Sequence, residues 1–150
     1  MKSPENKGLK RLAECEVRRD CPIFSLQEGK SAIRVHVSGR KCQQIKVDGE
    51  LNEIVPRRCD WAIRDYQNGE CLFVELKGSD FFHAVTQIEG TIFWFKNNIS
   101  PFCLAKDAYV VMSGRILPAD NSRVKGTIQR FSKRHNCVLQ AKRSGGTVNF

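Results

Sequence analysis

Apolar positions recur with two distinct periods along the chain. From Ala32 they alternate, with Ile33, Val35 and Val37 on one side and Arg34, His36 and Ser38 on the other, which predicts a half-buried strand. After the turn-forming Ser38-Gly39, a second strand is expected over Lys41 to Val47, ending at Asp48-Gly49. Two more, about Arg58 to Tyr66 and Glu70 to Lys77, flank Asn68-Gly69, a strong signal for a two-residue hairpin loop. The period then lengthens. Behind Ser79 or Asp80 as a cap, Phe81, Val85, Ile88, Ile92 and Phe95 recur at helical spacing, and the helix is expected to end near Asn97-Asn98. A strand over Ala108 to Met112, a helix over Asn121 to His135 with Val124, Ile128 and Phe131 on one face, and a short strand over Cys137 to Ala141 complete the pattern. The tail, with its Gly145-Gly146 pair, is expected to fray. At the other end, Ser3-Pro4 predicts the start of a short helix that places Leu9, Leu12 and Ala13 on one face.

A strand, a long helix and another apolar strand make a crossover unit, so the strands of Leu76 and Val110 should run parallel. The expected fold is α/β: a mixed central sheet flanked by helices, in one domain of 150 residues.

Charge adds a partner class to this picture. Lys plus Arg number 25 against 16 Asp plus Glu, a formal net charge of +9 spread along the whole length, which suits a surface that attracts a polyanion such as nucleic acid. A merely soluble basic protein has the same balance. No apolar run approaches the roughly 18 to 20 residues of a membrane helix and the polar start resembles no secretory signal, so a cytoplasmic protein without membrane contact is expected. The seven cysteines stand singly with no CxxC pair, and read as reduced, mostly buried small hydrophobes.

The stretch LFVELKGSDFFHAV, Leu72 to Val85, carries the candidate chemistry. Glu75 and Lys77 interrupt an otherwise apolar strand just before a helix. Three readings compete: a surface ion pair at a strand end, a binding surface, or an active site. A two-residue loop at Asn68-Gly69 would set Asp60 opposite Lys77 and Ala62 opposite Glu75. Asp60, Glu75 and Lys77 then share one face, with Asp60 diagonal to Glu75 at roughly 7 to 8 Å between α-carbons. Two carboxylates so placed can hold a hard cation, since Mg²⁺ is commonly bound by one or two carboxylates plus waters, and the Leu76 carbonyl could add a ligand. A neighbouring ammonium can hold a water and offset developing charge on a phosphate. The bland alternative is a cross-strand Asp60–Lys77 ion pair on a solvated face.

The segments RCDWAI and CLFVELKGS, followed by a helix bearing Gln87, resemble the PD-(D/E)XK nuclease superfamily over roughly Arg57 to Met112. The resemblance implies a restriction-endonuclease-like αβββαβ core and hydrolysis of DNA phosphodiesters with Mg²⁺ or Mn²⁺. It implies Asp60 and Glu75 as metal ligands, Lys77 as the residue that positions the attacking water, and Gln87 as an aid to orienting water or a phosphate oxygen. The literal Pro-Asp pair is absent, because Pro56 precedes Asp60 by four residues. Many members add an acid from their first helix, for which Glu14, Glu16, Glu28, Glu50 and Glu53 are all candidates. Members often dimerise or work beside a partner protein that supplies targeting. The alternatives are an inactive nuclease-like module that binds nucleic acid or protein, and a nuclease active on RNA.

Elsewhere, Ser38-Gly39-Arg40-Lys41 reads as a basic hairpin tip able to touch a phosphate backbone, as do Arg57 and Arg58 just before Asp60. Arg130, Lys133 and Arg134 read as a solvated helix face. The three histidines stand in no metal-ligand spacing, and Trp61 and Trp94 read as core or interface aromatics.

Overall fold

The strand Glu70–Lys77 is the axis of the molecule, and its near-continuous apolar run has a direct cause: both of its faces are covered. The computed structural model describes residues 10, 16–50, 57–77, 80–99, 103–113 and 121–150. Apart from Lys10, the helix expected over Ser3 to Ala13 lies outside them. In chain order the elements are β1 (Glu16–Arg19), β2 (Ile23–Glu28), β3 (Ser31–His36), β4 (Cys42–Lys46), a helical turn α1 (Val47–Glu50), β5 (Trp61–Asp65), β6 (Glu70–Lys77), α2 (Phe81–Asn98), β7 (Leu104–Met112), α3 (Ser122–His135), β8 (Val138–Arg143) and β9 (Gly146–Asn149).

Six strands form one mixed sheet in the order β1-β4-β5-β6-β7-β8, with β1, β4, β5 and β6 antiparallel to their neighbours and β6, β7 and β8 parallel. The β6-α2-β7 crossover is the one expected from sequence. β2, β3 and β9 form a second, smaller sheet. Alternation along β6 divides the core. Cys71 and Phe73 join the cluster under α2 and α3, with Ile88, Ile92, Phe95 and Phe131. Leu72, Val74 and Leu76 join Phe24, Leu26, Ile33, Val35 and Val148 of the small sheet. The result is three layers: helices, large sheet, small sheet.

The ends of α2 and α3 follow from their sequences. Asp80 accepts the His83 N–H at 3.0 Å and Asn121 accepts the N–H groups of Arg123 and Val124, so each helix has a side-chain cap. Asn136 closes α3 in the left-handed region at φ 48°, behind Lys133, Arg134 and His135, whose charges suit a helix C-terminus. Gly90 lets α2 lie directly against the main chain leading into β5. A β-carbon there would stand 2.3 Å from the Arg57 carbonyl oxygen, which no relaxed structure permits.

Four expectations are corrected. Ser38-Gly39 is a turn but not a hairpin tip, because β3 pairs with β2 and β9 while β4 pairs with β1 and β5, so the chain crosses between sheets there. The loop between β5 and β6 is longer than Asn68-Gly69. The Asp65 carboxylate accepts the N–H groups of Gln67 and Asn68, and the Gly69 N–H reaches the Asp65 carbonyl at 2.8 Å, closing a loop over Tyr66–Gly69. The pairing is therefore Trp61 with Val74 and Ala62 with Phe73, two residues from the expected register. Finally, the tail does not fray: β9 lies parallel to β3, with Arg34 beside Thr147 and His36 beside Asn149.

The crossing at Ser38-Gly39 places Arg40 beside the β5–β6 loop, where its guanidinium meets Glu70 at 2.7 Å and Asp65 at 3.3 Å and stacks over the Phe150 ring. The hydrogen bond from Arg40 holds the Glu70 carboxyl below its ordinary range. Its stabilisation is thus fully present above the ordinary glutamate range and is lost as pH falls through the lowered folded-state value. Glu70→Gln should therefore cost about 0.5–1 kcal/mol at pH 7 and progressively less as pH falls below the ordinary glutamate range, read from urea denaturation across that range. The packing of α2 gives a second expectation. Gly90→Ala should destabilise by about 1–3 kcal/mol. Gly126→Ala in α3, whose new methyl would meet only the movable Arg130 guanidinium at 3.1 Å, should instead stabilise by up to about 1 kcal/mol in the same assay.

Candidate active site at the edge of the large sheet

Three parallel strands finish together at one edge of the large sheet, where Lys77 pairs with Met112 and Met112 with Arg143. The antiparallel neighbours bring their own ends to this edge: β4 arrives at Lys46, which pairs with Trp61, the first residue of β5. Asp60 stands one residue before Trp61, and one step beyond the Trp61–Val74 pair places it directly opposite Glu75. The two-residue register shift preserves the face, so Asp60 and Glu75 still share the helix side of the sheet, but as direct neighbours rather than as a diagonal pair.

Their contacts are reciprocal. The Asp60 N–H donates to Glu75 Oε2 at 3.1 Å, and the Leu76 N–H donates to Asp60 Oδ2 at 2.7 Å. Each carboxylate is thereby tied to the main chain of the other strand. Asp60 is 7% exposed and Glu75 3%. The Asp60 carbonyl in turn accepts the N–H groups of Val47 and Asp48, which joins the helical turn α1 to the site.

The helix α2 reaches the same place through one hydroxyl. Thr91 is fully buried, its Oγ1 accepts the Cys59 N–H at 2.8 Å, and it donates to the Gln87 carbonyl at 3.1 Å. Thr91 is not among the candidate residues that the sequence offers. Its signal, a hydroxyl residue directly after a glycine in mid-helix, becomes meaningful only once Gly90 is seen against Arg57.

The other expected site residues divide by position. Leu76 is buried against the small sheet and contributes its main chain to the site. Lys77 ends β6 two residues beyond Glu75; its side chain lies outside the described residues. Gln87 is half-buried on α2, one turn before Thr91. Arg57 and Arg58 precede Asp60, Arg57 exposed and Arg58 paired through Nε with Asp48 Oδ1 at 2.8 Å. Arg40 and Lys41 belong to the opposite edge, about 17 Å away along the length of β5, so they are not brought together with the acids. Two basic residues that sequence reading passed over stand at the acidic edge instead: exposed Arg143 at the end of β8, and Arg123 at the start of α3, its guanidinium 4.0 Å from the centre of the Phe82 ring. Lys46 ends β4 at the same end of the sheet, but its ammonium lies 5.9 Å from the centre of the Trp61 ring, on the small-sheet side and away from the acids.

Among the described residues, no group of three or more His, Cys, Asp or Glu side chains gathers into a metal cage. The donor set of Asp60 and Glu75, two carboxylates at a sheet edge, fits a hard divalent ion that keeps several waters. Five of the described cysteines offer no competing site chemistry. Cys42, Cys59, Cys71, Cys103 and Cys137 are buried free thiols; burial pushes Cys42 and Cys137 up to about 12 and lifts Cys59 and Cys71 as well, so they act as small apolar residues. No helix among the described residues is long and apolar enough to cross a membrane. No family model, curated protein or solved structure matches this chain.

Proposed function

We propose that the chain is a divalent-metal-dependent nuclease that hydrolyses DNA phosphodiester bonds at the Asp60–Glu75 edge. The observation that carries this reading is the pair of buried carboxylates facing each other across β5 and β6, each fixed by a main-chain N–H of the opposite strand. The order β4, β5, β6, α2, β7 supports it, being compatible with the βββαβ part of the PD-(D/E)XK core that the sequence resembles. So does a basic rim at the same end of the sheet as the acids, with Arg123 at the start of α3 and exposed Arg143 at the end of β8, a placement suited to a phosphate backbone.

In this reading Asp60 and Glu75 hold Mg²⁺ or Mn²⁺, with the Leu76 carbonyl as a further ligand. The ion supplies a lowered pKa for bound water and charge neutralisation at the phosphate. Lys77 would orient the attacking water, which gives up one proton to solvent as its oxygen bonds to phosphorus and the bond to the leaving sugar oxygen breaks. That oxygen takes up a proton from solvent. Gln87 orients the water or a non-bridging oxygen. The rim arginines hold the flanking phosphates, which places the scissile bond over the acids.

The test is cleavage of plasmid, linear, single-stranded and branched DNA, and of RNA, with Mg²⁺ or Mn²⁺. Glu75→Ala and Lys77→Ala should each cut at least about 10²-fold more slowly while retaining DNA binding. Binding without cutting by all three proteins would replace this reading with that of a recognition module, and cutting of RNA alone would change the substrate.

A further inference from the structure

We propose that Thr91 is a positioning residue for this site: its buried hydroxyl sets where the Asp60 carboxylate stands relative to α2, and so sets the affinity of the acid pair for its divalent ion. The inference rests on the nuclease reading above and concerns a residue outside the set of acids, lysine and glutamine that the reading uses.

Asp60 lies just outside the regular ladder of β5, whose pairing with β6 begins at Trp61. Its position is instead fixed by separate contacts on three sides. On the β4 side, Val47 and Asp48 donate to its carbonyl. On the β6 side, its N–H meets Glu75 and its carboxylate meets Leu76. Toward α2, the holding contact is one residue back, where the Cys59 N–H donates to Thr91 Oγ1 at 2.8 Å. Arg57, two residues further back, fits against Gly90 with no room for a methyl group. Gly90 and Thr91 therefore act in sequence: the glycine admits the strand's main chain to the helix surface, and the threonine fixes its register there.

The same hydroxyl donates to the Gln87 carbonyl. One oxygen atom thus links the helical turn bearing Gln87 to the strand bearing Asp60. Without it, the Cys59 N–H is a buried donor facing a hydrocarbon surface, and the main chain must shift to find a new acceptor. Partners that orient a ligand commonly change metal affinity by about 10- to 100-fold when removed, and Thr91 acts on Asp60 through the main chain of the adjoining Cys59. Valine keeps the shape and branching of threonine but not the donor and acceptor; serine keeps the hydroxyl.

Wild type, Thr91→Val, Thr91→Ser and Asp60→Asn should be compared at 15 °C, where circular dichroism verifies that each is folded. Mn²⁺ binding is measured by calorimetry, and DNA cleavage as a function of Mn²⁺ concentration. Thr91→Val should bind Mn²⁺ about tenfold more weakly and need about tenfold more for half-maximal cutting. Thr91→Ser should stay within about threefold of wild type. Should the valine variant fail to fold, Thr91→Ala takes its place with the same expectation. Wild-type Mn²⁺ binding by a Thr91→Val protein, while Asp60→Asn has lost it, overturns the inference and leaves the nuclease reading standing. Equal weakening in the serine and valine variants also overturns it, since the hydroxyl is then not the agent. Absence of any Mn²⁺ binding that depends on Asp60 in the wild-type chain overturns both.

Discussion

Everything at the candidate site follows from the double burial of β6. A strand covered by helices on one face and by a second sheet on the other has no solvated side on which to place a polar residue. A glutamate in such a strand must find its hydrogen bonds within the fold or forfeit a large solvation energy. Glu75 finds one in the main chain of the neighbouring strand, and Asp60 returns the same kind of bond to β6. The pair is thus part of how β5 and β6 are joined where their ladder ends. It also keeps two buried acids close together at the end of that ladder.

How far the sequence could be read depended on whether each signal was local. The helices over Phe81–Asn98 and Ser122–His135 were legible because their caps and apolar faces lie within a few residues of one another. The crossover and the shared face of Asp60 and Glu75 were legible because period-two alternation survives a two-residue slip. The slip itself was not, because Asp65 competes with Asn68-Gly69 for the turn through side-chain bonds that no pattern of apolar residues encodes. Nor could local pattern show that β3 and β4, so close in sequence, belong to different sheets. The alternation of β3 is the same whichever strand lies alongside, and Cys42–Lys46 carries no alternation at all.

The two ends of the large sheet have acquired opposite electrostatic character. At the β5–β6 loop, Arg40 is committed to Glu70 and Asp65, with Lys106 3.6 Å from Glu70, so acids and bases there neutralise one another. At the other end, arginines stand on aromatic or exposed ground around a buried acidic pair. A net charge of +9 therefore does not describe an evenly basic surface. Its pull on a polyanion depends on which groups are already spoken for, and Arg40, which in the sequence looked as available as Arg57, is one that is.

The small sheet has a consequence for how the molecule is made. β3 is completed on one side by β9, and the Ala32 N–H is held by a serine hydroxyl 112 positions later. Loop-closure entropy for so wide a separation must be met before that pairing returns any stabilisation. During synthesis, β3 emerges long before its parallel partner exists, and the apolar side of β2 and β3 has to wait on the ribosome without its final neighbour. The slowest step in building this protein is thus expected to be the seating of its last strand, over the face of β6 that lies behind the acids.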